Sequence, residues 1–328
     1  MSREQQQLRI LVTGGLGFIG HNVVSQLEDL EHDVLIVDNM TDYGVIPNEE
    51  LHQLIEERTS RISSVCHPYN ITDGERLENV FGTFNPEIVI HLASFPRQKV
   101  VNANPIIGAQ SMIEGLLNLC ELSCKHPVKR FVYVSSSMVY GDFRDGATEY
   151  ALCKPQGQYA IMKHTGELLV RDYGHRGCFD YTIVRPSAVY GPHDVEDRVI
   201  SKFFMAAMRD EVLKVNGENE LLDFTYVDDT ASGIVGASLS KQAAYRTYNI
   251  TRGKSRTLLE AAHLITQIVG KGKIEISQKD EDFPSRGSLS IASAQNDFGY
   301  NPKIDIEEGF VKYHEYLVNS ALWSSKTV

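Results

Sequence analysis

The chain has 328 residues and a formal net charge of -11 at pH 7, with 42 % hydrophobic and 23 % charged residues. This length and mix supply a sizeable core in one large or two modest domains, and the acidic balance disfavours nucleic acid or an anionic membrane as partner. No run has the apolar length of a membrane span, and "MSREQQQLRILVTGG" lacks the apolar centre of a secretory leader, so a cytoplasmic protein is expected.

In chain order, "RILVTGG" is a branched apolar run ending in glycines and predicts a buried strand and turn. Phe18, Ile19, Val23, Val24, Leu27 and Leu30 then recur near helical spacing. "DVLIVD" predicts a second strand, "PEIVIHLAS" a third and "RFVYVSSS" a fourth, with a helical stretch from about Pro105 to Cys124 before the last of these. A helix beginning near Gln158 leads into another strand, "YTIVRPS". Alternating strands and helices predict an α/β fold, a doubly wound Rossmann-type parallel sheet. After about Arg185 the long apolar strands stop, which predicts a smaller α/β domain over 185–328 following the Rossmann-type domain over 1–184. That boundary is approximate, and the second part is free to return elements to the sheet.

The five cysteines, Cys66, Cys120, Cys124, Cys153 and Cys178, form no CxxC pair. Cys120 and Cys124 share a helix face and read as buried thiols. Neither a structural disulfide nor a metal site is expected.

Chemistry enters with "TGGLGFIG". Gly14, Gly17 and Gly20 lie between a predicted strand and a predicted helix, the context in which backbone N–H groups and a helix N-terminus bind a pyrophosphate. Without that ligand the same glycines would make only a tight turn. Asp38 ends the second strand, where a carboxylate accepts hydrogen bonds from an adenosine ribose and repels a 2′-phosphate. No arginine follows in "DNMTDYG", so NAD is expected over NADP. Tyr159 and Lys163 are four apart on one helix face, where the lysine favours the phenolate. Taken alone, that pair also fits an amphipathic helix with an exposed lysine.

Together these segments resemble the extended short-chain dehydrogenase/reductase family, the nucleotide-sugar epimerases and dehydratases, over nearly the whole chain. The resemblance is carried by "TGGLGFIG", Asp38, "HLAS", "SSSMVYG", "YAIMK", "RPSAVYGP", "FTYVDD" and "FGYNP". It implies Tyr159 as general acid/base, Lys163 as its partner and as a ligand of the nicotinamide ribose, and Ser136 as the hydroxyl that orients the reacting sugar oxygen. Tyr140 is then structural. The implied NAD site comprises Gly14, Gly17, Phe18, Ile19, Gly20, Asp38, Asn39, Asn70, Ile71, Leu92, Ala93, Ser94, Tyr159, Lys163, Pro186, Ala188 and Val189. Ser136, Ser137, Arg97, Arg198 and Arg286 are the implied contacts to a nucleotide-sugar substrate.

The departures are informative. Ser137 and Met138 stand where the family's dehydratases carry an Asp-Glu pair, its decarboxylases a Glu and some epimerase-reductases a Cys. Neither residue shuttles a proton, which argues against elimination, decarboxylation and 3,5-epimerisation. Ala188 and Leu222 replace an Asn and an Arg that often bind the substrate diphosphate; Met112 replaces a structural Asn and Asn70 an adenine-contacting Asp. Arg286 matches a family substrate arginine, while Arg97, Lys99 and Arg198 are candidates to compensate or plain surface charges. The expected activity is NAD-dependent 4-epimerisation through a 4-keto sugar. The alternatives are a C4 dehydrogenase or 4-keto reductase on the same residues, or an inactive dinucleotide-binding sensor. The resemblance also implies a homodimer through the helices near 105–124 and 158–175.

Overall fold

The computed structural model describes residues 6–95, 97–281, 283–324 and 326. The first five residues of the segment read for a leader lie outside them. The central sheet contains β1 (Arg9–Thr13), β2 (Asp33–Val37), β3 (Val65–His67), β4 (Ile88–His91), β5 (Arg130–Val134) and β6 (Asp180–Pro186), together with the strand Arg246–Ile250. Their order is Arg246–Ile250, β6, β5, β4, β1, β2, β3, and every pairing is parallel. The doubly wound expectation is met. The order reverses between β1 and β4, which opens a crevice at the carboxyl ends of the strands.

Side-chain alternation builds a core on each face. Ile10, Val12, Ile36, Ile90, Val132 and Val184 face one way, under Val23, Val24 and Leu27 of α1 (Gly20–Asp29) and the helix Val227–Leu239. Leu11, Leu35, Val89, Phe131, Tyr133 and Ile183 face the other. They pack under Leu77 and Phe81 of α3 (Gly74–Phe84), Leu116 and Leu119 of α6 (Gly115–Lys125) and Val170 of α7 (Gln158–His175). Between α3 and α6 lie α4 (Gln98–Ala103), α5 (Pro105–Ala109) and a π turn, Gln110–Glu114. The predicted helix over 105–124 is thus α5, the π turn and α6. Before α3, α2 (Asn48–Thr59) covers part of a further core, with Phe203, Phe204, Leu213, Phe310, Tyr313 and Trp323.

Two expectations about cysteine are corrected. Cys124 and Cys178 are bonded. Cys124 shares a helix face with Cys120 but sits on the last, exposed turn of α6, and the loop into β6 brings Cys178 to a Cα–Cα distance of 4.5 Å. Cys120 is a buried free thiol, its proton affinity pushed up by burial.

Candidate active site

The turn after β1 is built for close approach. Gly14 has φ +73°, and a Cβ there would lie 2.6 Å from Ala93 N. A Cβ on Gly20 would lie 2.0 Å from Gly14 O. Only glycine lets β1, the β4 end and the start of α1 meet here. His21 braces the turn: its Nδ1 is 2.9 Å from Gly17 O, while Arg61 Nη1 approaches its Nε2 at 3.2 Å. Nδ1 therefore donates and Nε2 accepts, and burial keeps the ring neutral by pushing its pKa well down. Arg58 donates to Leu16 O and His193 O at 3.0 and 2.7 Å, tying this turn to the loop after β6. Sequence reasoning missed both residues; the only signal for His21 was its place directly after "GFIG".

Asp38 Oδ2 accepts from Leu16 N at 2.9 Å and Oδ1 from Met40 N at 2.8 Å. Burial raises its pKa, and those N–H groups and Arg58 oppose the rise. Each oxygen keeps a lone pair for a ribose hydroxyl. Gly14, Gly17, Phe18, Ile19, Gly20, Asp38, Asn39, Ile71, Leu92, Ala93, Ser94, Pro186, Ala188 and Val189 line one cleft of about 1160 Å³. A dinucleotide fits this cradle of glycine backbone, helix N-terminus and ribose-facing carboxylate. Asn70 is the exception among the expected cofactor contacts. It is exposed, its Oδ1 accepts from Thr72 N at 3.1 Å, and its neighbours Tyr69 and Ile71 line the cleft instead.

The same cleft contains Ser136, Ser137, Met138, Tyr159, Lys163, Arg97, Arg198 and Arg286. The three serines after β5 part company. Ser135 Oγ donates to Glu167 Oε1 at 2.6 Å, beneath the site. Ser137 lines the cleft but is buried, and its hydroxyl donates to Ser187 Oγ at 3.0 Å. Ser136 Oγ accepts from Met138 N at 3.2 Å and lies beside the Tyr159 phenol. Tyr140 is fully buried and donates to Asn249 Oδ1 at 2.7 Å, outside the cleft.

Burial raises the Tyr159 pKa; the Ser136 hydroxyl and then Arg198 pull it back. Lys163 Nζ donates to Val134 O at 2.9 Å, 6.0 Å from the Tyr159 ring centroid. Burial brings its pKa down to about 7, against support from Glu167. An oxygen between Ser136 Oγ and Tyr159 Oη would be oriented by one and exchange its proton with the other. Met138 offers no second proton carrier on that wall.

Each of the extra cations has an acidic neighbour. Arg97 pairs with Asp197, Lys99 with Asp280 at 2.7 Å, and Arg198 Nε lies 3.1 Å from Asp194 Oδ1. Arg286 is half-buried beside Glu220, its pKa lowered to about 10 by desolvation, and its Nε has no hydrogen-bond partner among the described residues.

Comparison with known proteins agrees with this geometry. The model of the NAD dependent epimerase/dehydratase family matches residues 10–251. A UDP-glucuronate 4-epimerase of Thermodesulfobacterium geofontis is 31% identical, over 97% of this chain and 96% of that protein. The crystal structure of a UDP-glucose 4-epimerase with UDP-glucose from Thermotoga maritima is 27% identical with a TM-score of 0.84, covering 94% of this chain and 98% of that one. The fold also matches a UDP-glucuronic acid 4-epimerase from Bacillus cereus in complex with UDP-glucuronic acid and NAD, at TM-score 0.86, 24% identity and coverage of 94% and 98%. The chain belongs to the NAD dependent epimerase/dehydratase family and is an NAD-dependent enzyme of the extended short-chain dehydrogenase/reductase type.

Proposed function

We propose that the enzyme is a nucleotide-sugar 4-epimerase that works through a transient 4-keto sugar. The observation that carries this is the pairing of Ser136 and Tyr159 in a cleft whose wall continues as Met138, with no acid where elimination or decarboxylation would need one. The names of the similar proteins support the substrate class. Tyr159 takes the proton of the carbon 4 hydroxyl and later returns one, while Ser136 orients the sugar oxygen. When bound in the cradle of Gly14, Gly17, Gly20 and Asp38, NAD would supply the hydride acceptor and donor that inversion at carbon 4 requires. Lys163 would hold the nicotinamide ribose, and its charge, supported by Glu167, would favour the Tyr159 phenolate. Residues 1–184 form the NAD-binding domain, and 185–328 mainly bind substrate, through Arg198 and Arg286.

Substrate deuterated at carbon 4 tests this. Label retained in an inverted product, with no added cofactor consumed, is expected. Label in free NADH together with a released 4-keto sugar would make the enzyme a dehydrogenase.

A further inference from the structure

Arg97 has φ +77° and ψ 139°, a backbone conformation that side chains other than glycine rarely adopt. Strain of this kind persists where the surroundings enforce it, and it clusters at functional sites. An ion pair at the protein surface would not require it. Here Arg97 lines the cleft, where its guanidinium pairs with Asp197 while its buried Nε has no hydrogen-bond partner among the described residues.

The end of the cleft is fixed by its neighbours. Phe95 and Val101, on either side of Arg97, pack in one apolar cluster with Tyr159. Gln98 reaches Gly157, two residues before Tyr159, so closely that a Cβ there would lie 2.6 Å from Gln98 Nε2. Arg198 is near enough to Tyr159 to favour its phenolate, and near enough to Arg97 that the two guanidinium charges repel. Arg286 lines the same cleft beside Glu220. Arg97 and Arg198 therefore stand at the sugar end.

Their charge is not fully balanced from within. Arg58, Arg97 and Arg198 surround Asp194, and Lys202 shares Asp197 with Arg97. Asp38 is the remaining carboxylate facing Arg58. Among the described residues, four cations thus meet three carboxylates, and one of those three, Asp38, is the proposed ribose ligand. A buried guanidinium edge with surplus charge selects an anion, and its planar donors suit a carboxylate.

We infer that Arg97, with Arg198 behind it, forms a carboxylate subsite at the sugar end of the cleft, so that the sugar is a uronate rather than a neutral hexose. This rests on the nucleotide-sugar reading above and not on which C4 reaction follows.

The test is calorimetric binding to the NAD-loaded Tyr159→Phe protein, in which no turnover intervenes. The probes are UDP, UDP-glucose and UDP-glucuronate, the last two differing only at carbon 6. UDP-glucuronate is expected to bind at least about tenfold more tightly than UDP-glucose, as one charge-assisted hydrogen bond allows. Arg97→Met and Arg97→Gly are each expected to erase that preference and leave UDP affinity unchanged; the glycine variant also relieves the backbone strain, so misfolding would not explain its result. Equal binding of the two sugars, binding of neither, or a loss that falls equally on UDP would overturn the inference, the last by making Arg97 a diphosphate ligand. The carbon 4 label separates the two readings. Preferential binding with label lost to NADH defeats only the epimerase, and equal binding with label retained defeats only the uronate subsite.

Discussion

Replacing Glu167 by glutamine removes one charge from a pair that has no solvent to fall back on. The Glu167 side chain is 0% exposed and that of Arg185 3%. Arg185 Nη2 and Nε donate to the two carboxylate oxygens at 2.6 and 2.8 Å, and Ser135 Oγ adds a third bond at 2.6 Å. Burial opposes the charge on Glu167, but Arg185, His164 and Ser135 outweigh it and hold the carboxyl well below the usual carboxylate range. A carboxylate with a depressed folded pKa contributes stability that is present above its unfolded value of about 4.3 and is lost as pH falls below it. Glu167→Gln leaves Arg185 buried, charged and short of a counter-ion, which costs about 3–5 kcal/mol. Denaturant unfolding at pH 7 should show that loss, and the gap between wild type and variant should narrow on acidification below about pH 4. Adding Arg185→Met should recover much of it, since a matched apolar pair carries no stranded charge. Glu167 also supports the charge on Lys163, so the Lys163 pKa should fall below about 7 in the variant. A loss under about 1 kcal/mol at pH 7 would refute this, because an exposed pair would lose no more.

Asp38 should make NAD bind at least about tenfold more tightly than NADP, and Asp38→Asn should narrow the gap; equal wild-type affinities in a titration would count against the ribose role. The Cys124–Cys178 bond closes a separation of 54 residues, so Cys124→Ser should lower the unfolding free energy by about 4 kcal/mol, with the same loss on reduction of the wild type. Ile106 and Ile107 on α5 and Ile161 and Leu168 on α7 are exposed apolar residues on the helices expected to pair two subunits. Light scattering at micromolar concentration should report a dimer, and Ile161→Lys a monomer. Ser136 favours the Tyr159 phenolate, so Ser136→Ala should slow hydride transfer on the order of 100-fold and move the acid limb of the pH–rate profile upward; an unmoved limb would leave Ser136 only an orienting role.

What could be read from the sequence was local. Five strands were apolar runs with their turns attached, and the glycine turn, Asp38 and the Tyr159–Lys163 face depend on spacing within a few residues. What escaped was fixed by packing across the chain. β3 has three residues, its first exposed at the sheet edge, so it shows no buried pattern. "RTYNI" joins β6 after more than fifty intervening residues, and nothing local announces a parallel partner. Arg97, Lys99 and Arg198 read as loose cations because Asp197, Asp280 and Asp194 reach them only once the loops fold. Cys124 and Cys178 are likewise neighbours only after α6 and β6 dock.

The serines after β5 show why a motif locates a site better than it assigns roles within it. Ser135 N donates to Val184 O at 2.8 Å, which carries the β5–β6 ladder one residue past the strand. That bond fixes the register at the point where the backbone turns into the short helix Ser137–Tyr140, and successive side chains then leave in different directions. Ser135 drops into the Glu167–Arg185 pair, Ser136 faces Tyr159, and Ser137 closes onto Ser187. Chemically the three hydroxyls are the same. A slip of one residue would put the hydroxyl that meets Tyr159 into the buried ion pair and leave the cleft without it. The buried network beneath β5 therefore acts through register: by holding Ser135 on Glu167 it leaves Ser136 as the hydroxyl that faces the Tyr159 phenol.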